Sequence, residues 1–214
     1  MTTPPSVSKR KPSPYEDAPR LPEGERVDAR ALVHGASLEI EIGPGRGGFM
    51  FERVAAADVG LIGLEVRRKW AAIVDGRLAK AGLASRARVF AEDAKIALPR
   101  LQPDGVFARA FLHFPDPWWK KRHQKRLVMG DVFMDEIARL LAIGGELYVQ
   151  TDVAERADQY EAKILADARF EPAGDAPGSP RMAENPYNAR SPREHRAIKD
   201  GLPVHRMRFR RVVR

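Results

Sequence analysis

The chain contains no cysteine, which excludes disulfides and any thiolate metal site. No apolar run approaches the roughly 20 residues that a membrane helix needs. The opening residues, Met1-Thr2-Thr3-Pro4-Pro5, lack the apolar stretch of a secretory signal. Internal repeats are absent. A cytoplasmic protein with no membrane partner fits these absences. What the chain does have is cationic charge: 37 Lys and Arg against 29 Asp and Glu leave a net charge of +8. Such a balance favours polyanionic partners through phosphate neutralisation. By itself it fits a merely basic soluble enzyme as well. The 214 residues, 43% of them hydrophobic, suit one compact domain with a tail.

Residues 1–35 are rich in proline, serine and mixed charge and read as a flexible tail. Within it Lys9, Arg10 and Lys11 offer a contact to RNA or simply a solvated face. Residues 36–214 form the domain. Short apolar runs at 38–42, 59–65, 87–90, 106–114 and 146–151 read as strands. Helical patterns follow them, including 67–81, 129–142 and a stretch after Asp152 to about residue 168. Alternation of this kind predicts an α/β fold: a Rossmann-like, doubly wound, mostly parallel sheet covered on both faces. Residues 204–213 instead alternate with a period of two, which predicts an antiparallel C-terminal edge strand. Its arginines either reach phosphate or protect a solvated edge.

The first strand runs into Gly43-Pro44-Gly45-Arg46-Gly47-Gly48. A glycine-rich turn there lets a ligand approach the backbone, and the helix that follows favours anionic groups. An acid stands two residues before the first glycine, giving Glu41-x-Gly43-x-Gly45-x-Gly47. A carboxylate suits a zwitterionic, sulfonium-bearing ligand better than a pyrophosphate. The pattern resembles the first motif of class I S-adenosylmethionine methyltransferases. Glu65 ends the second strand, where an acid accepts hydrogen bonds from ribose hydroxyls, and Asp93 follows the third, beside the expected adenine edge. Taken singly, each acid also reads as a helix N-cap or a surface charge. NAD is the alternative cofactor.

The fourth strand leads into Phe114-Pro115-Asp116-Pro117-Trp118. Two prolines restrict the backbone on both sides of Asp116 and oppose helix formation, which holds a carboxylate over the cofactor site. Trp118 and Trp119 offer flat faces for base stacking. Five of the seven residues at 120–126 are Lys or Arg, which suits phosphate contact.

Together with Gly63-Leu64-Glu65-Val66, Thr151-Asp152 and Ser191-Pro192-Arg193-Glu194, these motifs resemble those of the bacterial tRNA (guanine-N7)-methyltransferases. The likeness spans about residues 38–214. It implies the class I methyltransferase fold, S-adenosylmethionine as cofactor and tRNA as partner, with guanine 46 of the variable loop as the methyl acceptor. The resemblance implies cofactor contacts from Glu41, Glu65, Asp93 and Asp116, with Asp116 also the catalytic residue. It implies guanine or RNA contacts from Lys120, Asp152, Ser191, Arg193 and Glu194, while Arg122, His123, Lys125 and Arg126 suit the phosphates. No metal is expected. The chain departs from the family at Trp119, where His is usual, at Leu127, where a further Arg is common, and at Ser191 and Arg193, which replace a Thr and an aromatic. A nicotinamide-dependent oxidoreductase would share the fold, and a non-catalytic RNA-binding protein would share the basic runs but not need Glu41, Glu65 and the glycine loop. Nothing in the sequence decides between monomer and homodimer.

Overall fold

The computed structural model describes residues 15–115 and 128–213. The expectations for Asp116, Lys120, Arg122, His123, Lys125 and Arg126 therefore lie outside the described residues. In chain order the elements are β1 (Val27–Asp28), β2 (Ser37–Ile42), α1 (Gly48–Ala56), β3 (Val59–Leu64), α2 (Arg68–Lys80), β4 (Ala87–Phe90), α3 (Ala94–Ala97), β5 (Leu101–Gln102), β6 (Phe107–His113), α4 (Asp131–Leu140), β7 (Leu141–Thr151), α5 (Ala154–Leu165), β8 (Phe170–Pro172), β9 (Arg181–Met182), α6 (Pro192–Lys199) and β10 (His205–Arg211).

Strands β4, β3, β2, β6 and β7 lie side by side in that order and all run parallel. Helices on both faces bury such strands completely, so β3 (Val-Gly-Leu-Ile-Gly-Leu) is buried at all six positions. Alternate side chains of the strands feed two cores. Ile40, Ile42, Ile62, Leu64, Ala110 and Leu112 pack with Phe133 and Ile137 of α4 and Ile164 of α5. Leu61, Val89, Phe111 and Tyr148 pack on the other face with Phe49 and Val54 of α1 and Val74 and Leu78 of α2.

The same parity puts both acids of β2 on the α1 face. Glu39 is fully buried there. It accepts two hydrogen bonds of 2.8 Å from Arg53 of α1 and one of 2.9 Å from Arg109 of β6. A buried carboxylate persists only with such pairing.

Three expectations change. Residues 15–35 are not all tail: Ala18, Leu21, Val27, Ala29 and Val33 are buried, β1 pairs with β5, and Glu92 receives Arg20 and the backbone N–H of Leu21. The proline-rich composition concealed apolar anchors spaced too irregularly to show a period. Helix α4 stops at Leu140 rather than residue 142, because Leu141 already pairs with Phe107; the register then shifts before Arg109 meets Glu146. Finally, β10 is antiparallel to β7 at the end of the sheet, as expected, but short β8 and β9 pair along its outer side.

Its arginines are largely consumed inside the fold. Arg206 is buried against Glu194, Arg208 Nε donates to the Ala173 carbonyl at 2.6 Å, and Arg211 Nε donates to the Ala138 carbonyl at 2.7 Å. Exposed Arg210 lies 3.6 Å from Glu171. The basic C-terminal strand is chiefly a structural device, not a row of free phosphate contacts.

Candidate cofactor and guanine site

After β4 the chain returns to the far side of β2 to lay down β6, so strand order reverses between β2 and β6. Open α/β sheets bind ligands beyond the carboxyl ends of strands at such a reversal. A cleft of about 690 Å³ opens there, with Glu41, Gly43, Asp152 and Ser191 in its walls.

The floor is the β2–α1 loop. Gly43, at φ +76°, has no atom of another described residue, its chain neighbours aside, within 4 Å of where a Cβ would be. It and Gly45 line the cleft, leaving the backbone accessible to a ligand. Gly47 does something else: at φ +75° it caps α1, and a Cβ would lie 2.3 Å from Val74 Cγ1 of α2. It serves helix packing, and the spacing alone did not separate it from the other two. At Gly48 a Cβ would meet Pro192 Cγ at 2.7 Å. That close approach docks the start of α6 over the loop.

Glu41 is 1% exposed. Its Oε1 accepts a 2.8 Å hydrogen bond from His113 Nδ1 of β6, and its Oε2 has no partner among the described residues. One carboxylate oxygen thus keeps its acceptor capacity at the cleft, which fits a donor-bearing, cationic ligand. Glu65 lies behind the loop. Its Oε2 accepts the Gly45 N–H at 2.9 Å, and its Oε1 accepts the Arg67 N–H at 3.0 Å and Arg67 Nε at 2.9 Å. These bonds hold the Arg67 guanidinium above its ordinary range. Any ribose contact by Glu65 requires exchange with Arg67, whose side chain is 60% exposed. Asp93 is an exposed N-cap of α3, accepting the Lys95 N–H at 2.9 Å, and it is outside the cleft wall.

The opposite wall comes from β7 and α6. Asp152 pairs with Arg193, whose Nε donates at 2.9 Å to Asp152 Oδ2 and whose Nη2 reaches the same oxygen. Both line the cleft. Ser191 Oγ accepts the Glu194 N–H at 3.1 Å and caps α6, with Pro192 in the first turn. Glu194 corrects its expectation: it is fully buried, binds Arg206 Nε and Nη2 at 3.0 and 2.9 Å, and accepts Asn185 Nδ2 at 2.9 Å. It faces the core, where an ion pair from β10 claims it, and it does not line the cleft.

Phe114 and Pro115 complete the wall. Phe114 has φ +47°, a left-handed conformation that is costly for an aromatic residue and concentrates at functional sites. Sequence reasoning missed Arg46, Arg67, Trp70, His113, Arg156 and Arg196, all of which line the cleft. Arg193 and Arg196, three apart on α6, were readable as one helical face. A histidine closing the apolar run Ala110-Phe111-Leu112 at the strand's carboxyl end was the signal for His113. Among the described residues the lining has five arginines, Arg46, Arg67, Arg156, Arg193 and Arg196, against two acids, Glu41 and Asp152, so this part of the cleft is basic.

A family model described as a putative methyltransferase matches residues 35–207. A tRNA (guanine-N(7)-)-methyltransferase of Anaeromyxobacter dehalogenans is 41% identical over 85% of this chain and 89% of its own length. One from Myxococcus xanthus is 37% identical over 80% and 82%. Among solved structures, a SAM-dependent O-methyltransferase from Thermotoga maritima superimposes with a TM-score of 0.53 at 18% identity, covering 86% of this chain and 62% of that one. The tRNA (m1A58) methyltransferase of Aquifex aeolicus gives 0.52 at 14% identity, over 85% and 65%. At such identities the structures speak for the fold alone.

Proposed function

Because the chain belongs to the tRNA (guanine-N7)-methyltransferase family, we propose that it methylates N7 of a guanine in tRNA, at position 46 of the variable loop, using S-adenosylmethionine. The observation that carries this reading is the cleft at the strand-order reversal: a glycine floor, a buried acid with one oxygen unpartnered among the described residues, and an arginine-rich lining. When bound, the cofactor supplies a methyl group activated by its sulfonium.

The chain's own residues divide the remaining work. Glu41 offers Oε2 to the cofactor's donor groups. Gly43 and Gly45 give its backbone room. Glu65 meets the ribose once Arg67 moves aside, and Asp93 serves the adenine edge from outside the cleft wall. Asp152 and Ser191 meet the guanine, and binding exchanges the Arg193–Asp152 pair for base contacts. Arg46, Arg156 and Arg196 at the mouth, with Lys120, Arg122, His123, Lys125 and Arg126, meet phosphate and ribose.

Guanine N7 already carries a lone pair, so neither a general base nor a metal is needed to make the nucleophile. Alignment behind the methyl group is the main demand on the site. The purine gains positive charge as the bond forms, and Asp116 stabilises that charge electrostatically. Residues 15–35, with their buried anchors, belong to the catalytic domain in this reading. The protein works in the cytoplasm. No helix among the described residues is long and apolar enough to cross a membrane.

The test is transfer of labelled methyl from S-adenosylmethionine to bulk tRNA, followed by strand cleavage at N7-methylguanine. Cleavage in the variable loop is the expected result. Label at another base atom, or in protein, overturns the substrate assignment.

A further inference from the structure

His113 is 7% exposed and sits at the carboxyl end of β6, on the face that carries Glu41. Its ring is set by aromatic neighbours from three elements. Phe49 of α1 meets it edge-on at 4.3 Å between centroids, Phe111 of β6 stacks at 5.7 Å, and Tyr148 of β7 meets it edge-on at 6.0 Å. Fixed in this way, Nδ1 lies 2.8 Å from Glu41 Oε1. With its proton on Nδ1, the ring donates to this carboxylate oxygen. The outer atoms of the pair, Glu41 Oε2 and His113 Nε2, are buried without a hydrogen-bond partner among the described residues. Buried polar atoms left without a partner are costly unless a ligand or water satisfies them.

We propose that His113 is a positioning residue of the cofactor site, whose Nδ1–H fixes one oxygen of Glu41 and so aims the other at the donor groups of S-adenosylmethionine. The inference rests on the reading of Glu41 as a cofactor residue. It adds that the carboxylate's orientation is set by a partner 72 residues away in sequence. Without the tether, the Glu41 side chain is free to rotate or to take another donor, and cofactor binding must then bear the cost of ordering it. The same logic governs histidines that are oriented by a carboxylate in metal sites, with the roles reversed here.

Two kinds of substitution separate the hydrogen bond from the packing. His113→Asn keeps an N–H donor near the Nδ1 position and discards most of the ring. His113→Phe keeps a ring against Phe49, Phe111 and Tyr148 and discards the donor. His113→Gln moves the donor toward the Nε2 position and provides a second donor-displaced variant should the Phe protein fold poorly. The full chain is titrated with S-adenosylmethionine by calorimetry, with KM for cofactor and for tRNA measured alongside and each apo protein melted.

The expected result is that Asn binds the cofactor close to the wild-type value. Phe and Gln each weaken it about tenfold or more, the scale of one charge-assisted hydrogen bond. KM for tRNA stays put in all three. A Phe variant that binds like wild type while Asn loses affinity assigns His113 to packing and overturns the proposal. Glu41→Ala is titrated in parallel. Unchanged affinity there overturns the placement of the cofactor at Glu41 itself, a failure distinct from that of the His113 tether.

Discussion

Replacing Glu194 by alanine separates a structural from a substrate-binding role, because the motif places this residue at the guanine and the fold places it in the core. Its side chain is fully buried and that of Arg206 is 8% exposed. Truncating one member of such a pair leaves an uncompensated buried charge and costs about 3–5 kcal/mol. Arg206 Nη1 retains the carbonyls of Ala183 at 3.0 Å and Val204 at 3.4 Å, so the lower end, about 3 kcal/mol, applies here. For a domain of this size each kcal/mol shifts Tm by about 2–4 °C, which gives a drop of about 6–12 °C. Circular dichroism melts of the apo protein measure it. Below the transition, KM for tRNA should match wild type. The paired change Glu194→Leu with Arg206→Met should recover much of the loss, since no buried charge is then left alone. An unchanged Tm in Glu194→Ala, with KM for tRNA raised, would refute the structural assignment and restore Glu194 to the guanine site.

Three further outcomes follow from particular residues. Gly47→Ala should destabilise by more than Gly43→Ala: both face a left-handed φ penalty of about 1–2 kcal/mol, but only at Gly47 does the new methyl collide with Val74. Gly43→Ala should instead show its larger effect in cofactor titration, and equal melts for the two variants would contradict this division. Burial, reinforced by the charges of Glu194 and Glu146 respectively, holds the phenols of Tyr148 and Tyr187 above their ordinary range. A raised folded-state pKa contributes stability that is complete below the unfolded value of about 10 and is lost as pH climbs toward the folded value. Alkaline difference spectra should therefore show these two ionising only with unfolding, and titration of all four tyrosines as one set in folded protein would oppose it. Asp116→Ala should lower kcat by at least about 10²-fold, as expected for a lost transition-state charge contact, while tRNA binding in a filter assay persists; near-normal turnover would remove Asp116 from the chemistry.

The sheet was legible because its signals are local. The apolar runs at 59–65, 87–90 and 106–114, the glycine loop and the acids at strand ends all lie within windows of a few residues. Their order along the chain implies parallel strands and a reversal where ligands bind. Glu41, Gly43 and Gly45 were found in this way, and Asp152, Ser191 and Arg193 through the family resemblance; all six line the cleft. Gly47 carried the right residue type at the right spacing, yet it makes room for Val74, while Asp93 caps α3 and keeps its adenine role only as part of the proposal.

By itself, then, the sequence determined the α/β order, the cofactor loop and the family to which the chain belongs, all properties of neighbouring residues. Tertiary structure decided how charges are paired. Arg206 looked free on a basic strand until α6 brought Glu194 to it. Asp152 was joined by Arg193 across 41 residues, and Glu41 by His113 across 72. The composition of residues 15–35 gave no sign that Val27 and Val33 would be buried. The reason is physical: a charged or apolar side chain can be satisfied in many ways, and which way it is satisfied depends on which distant element the folded backbone delivers beside it.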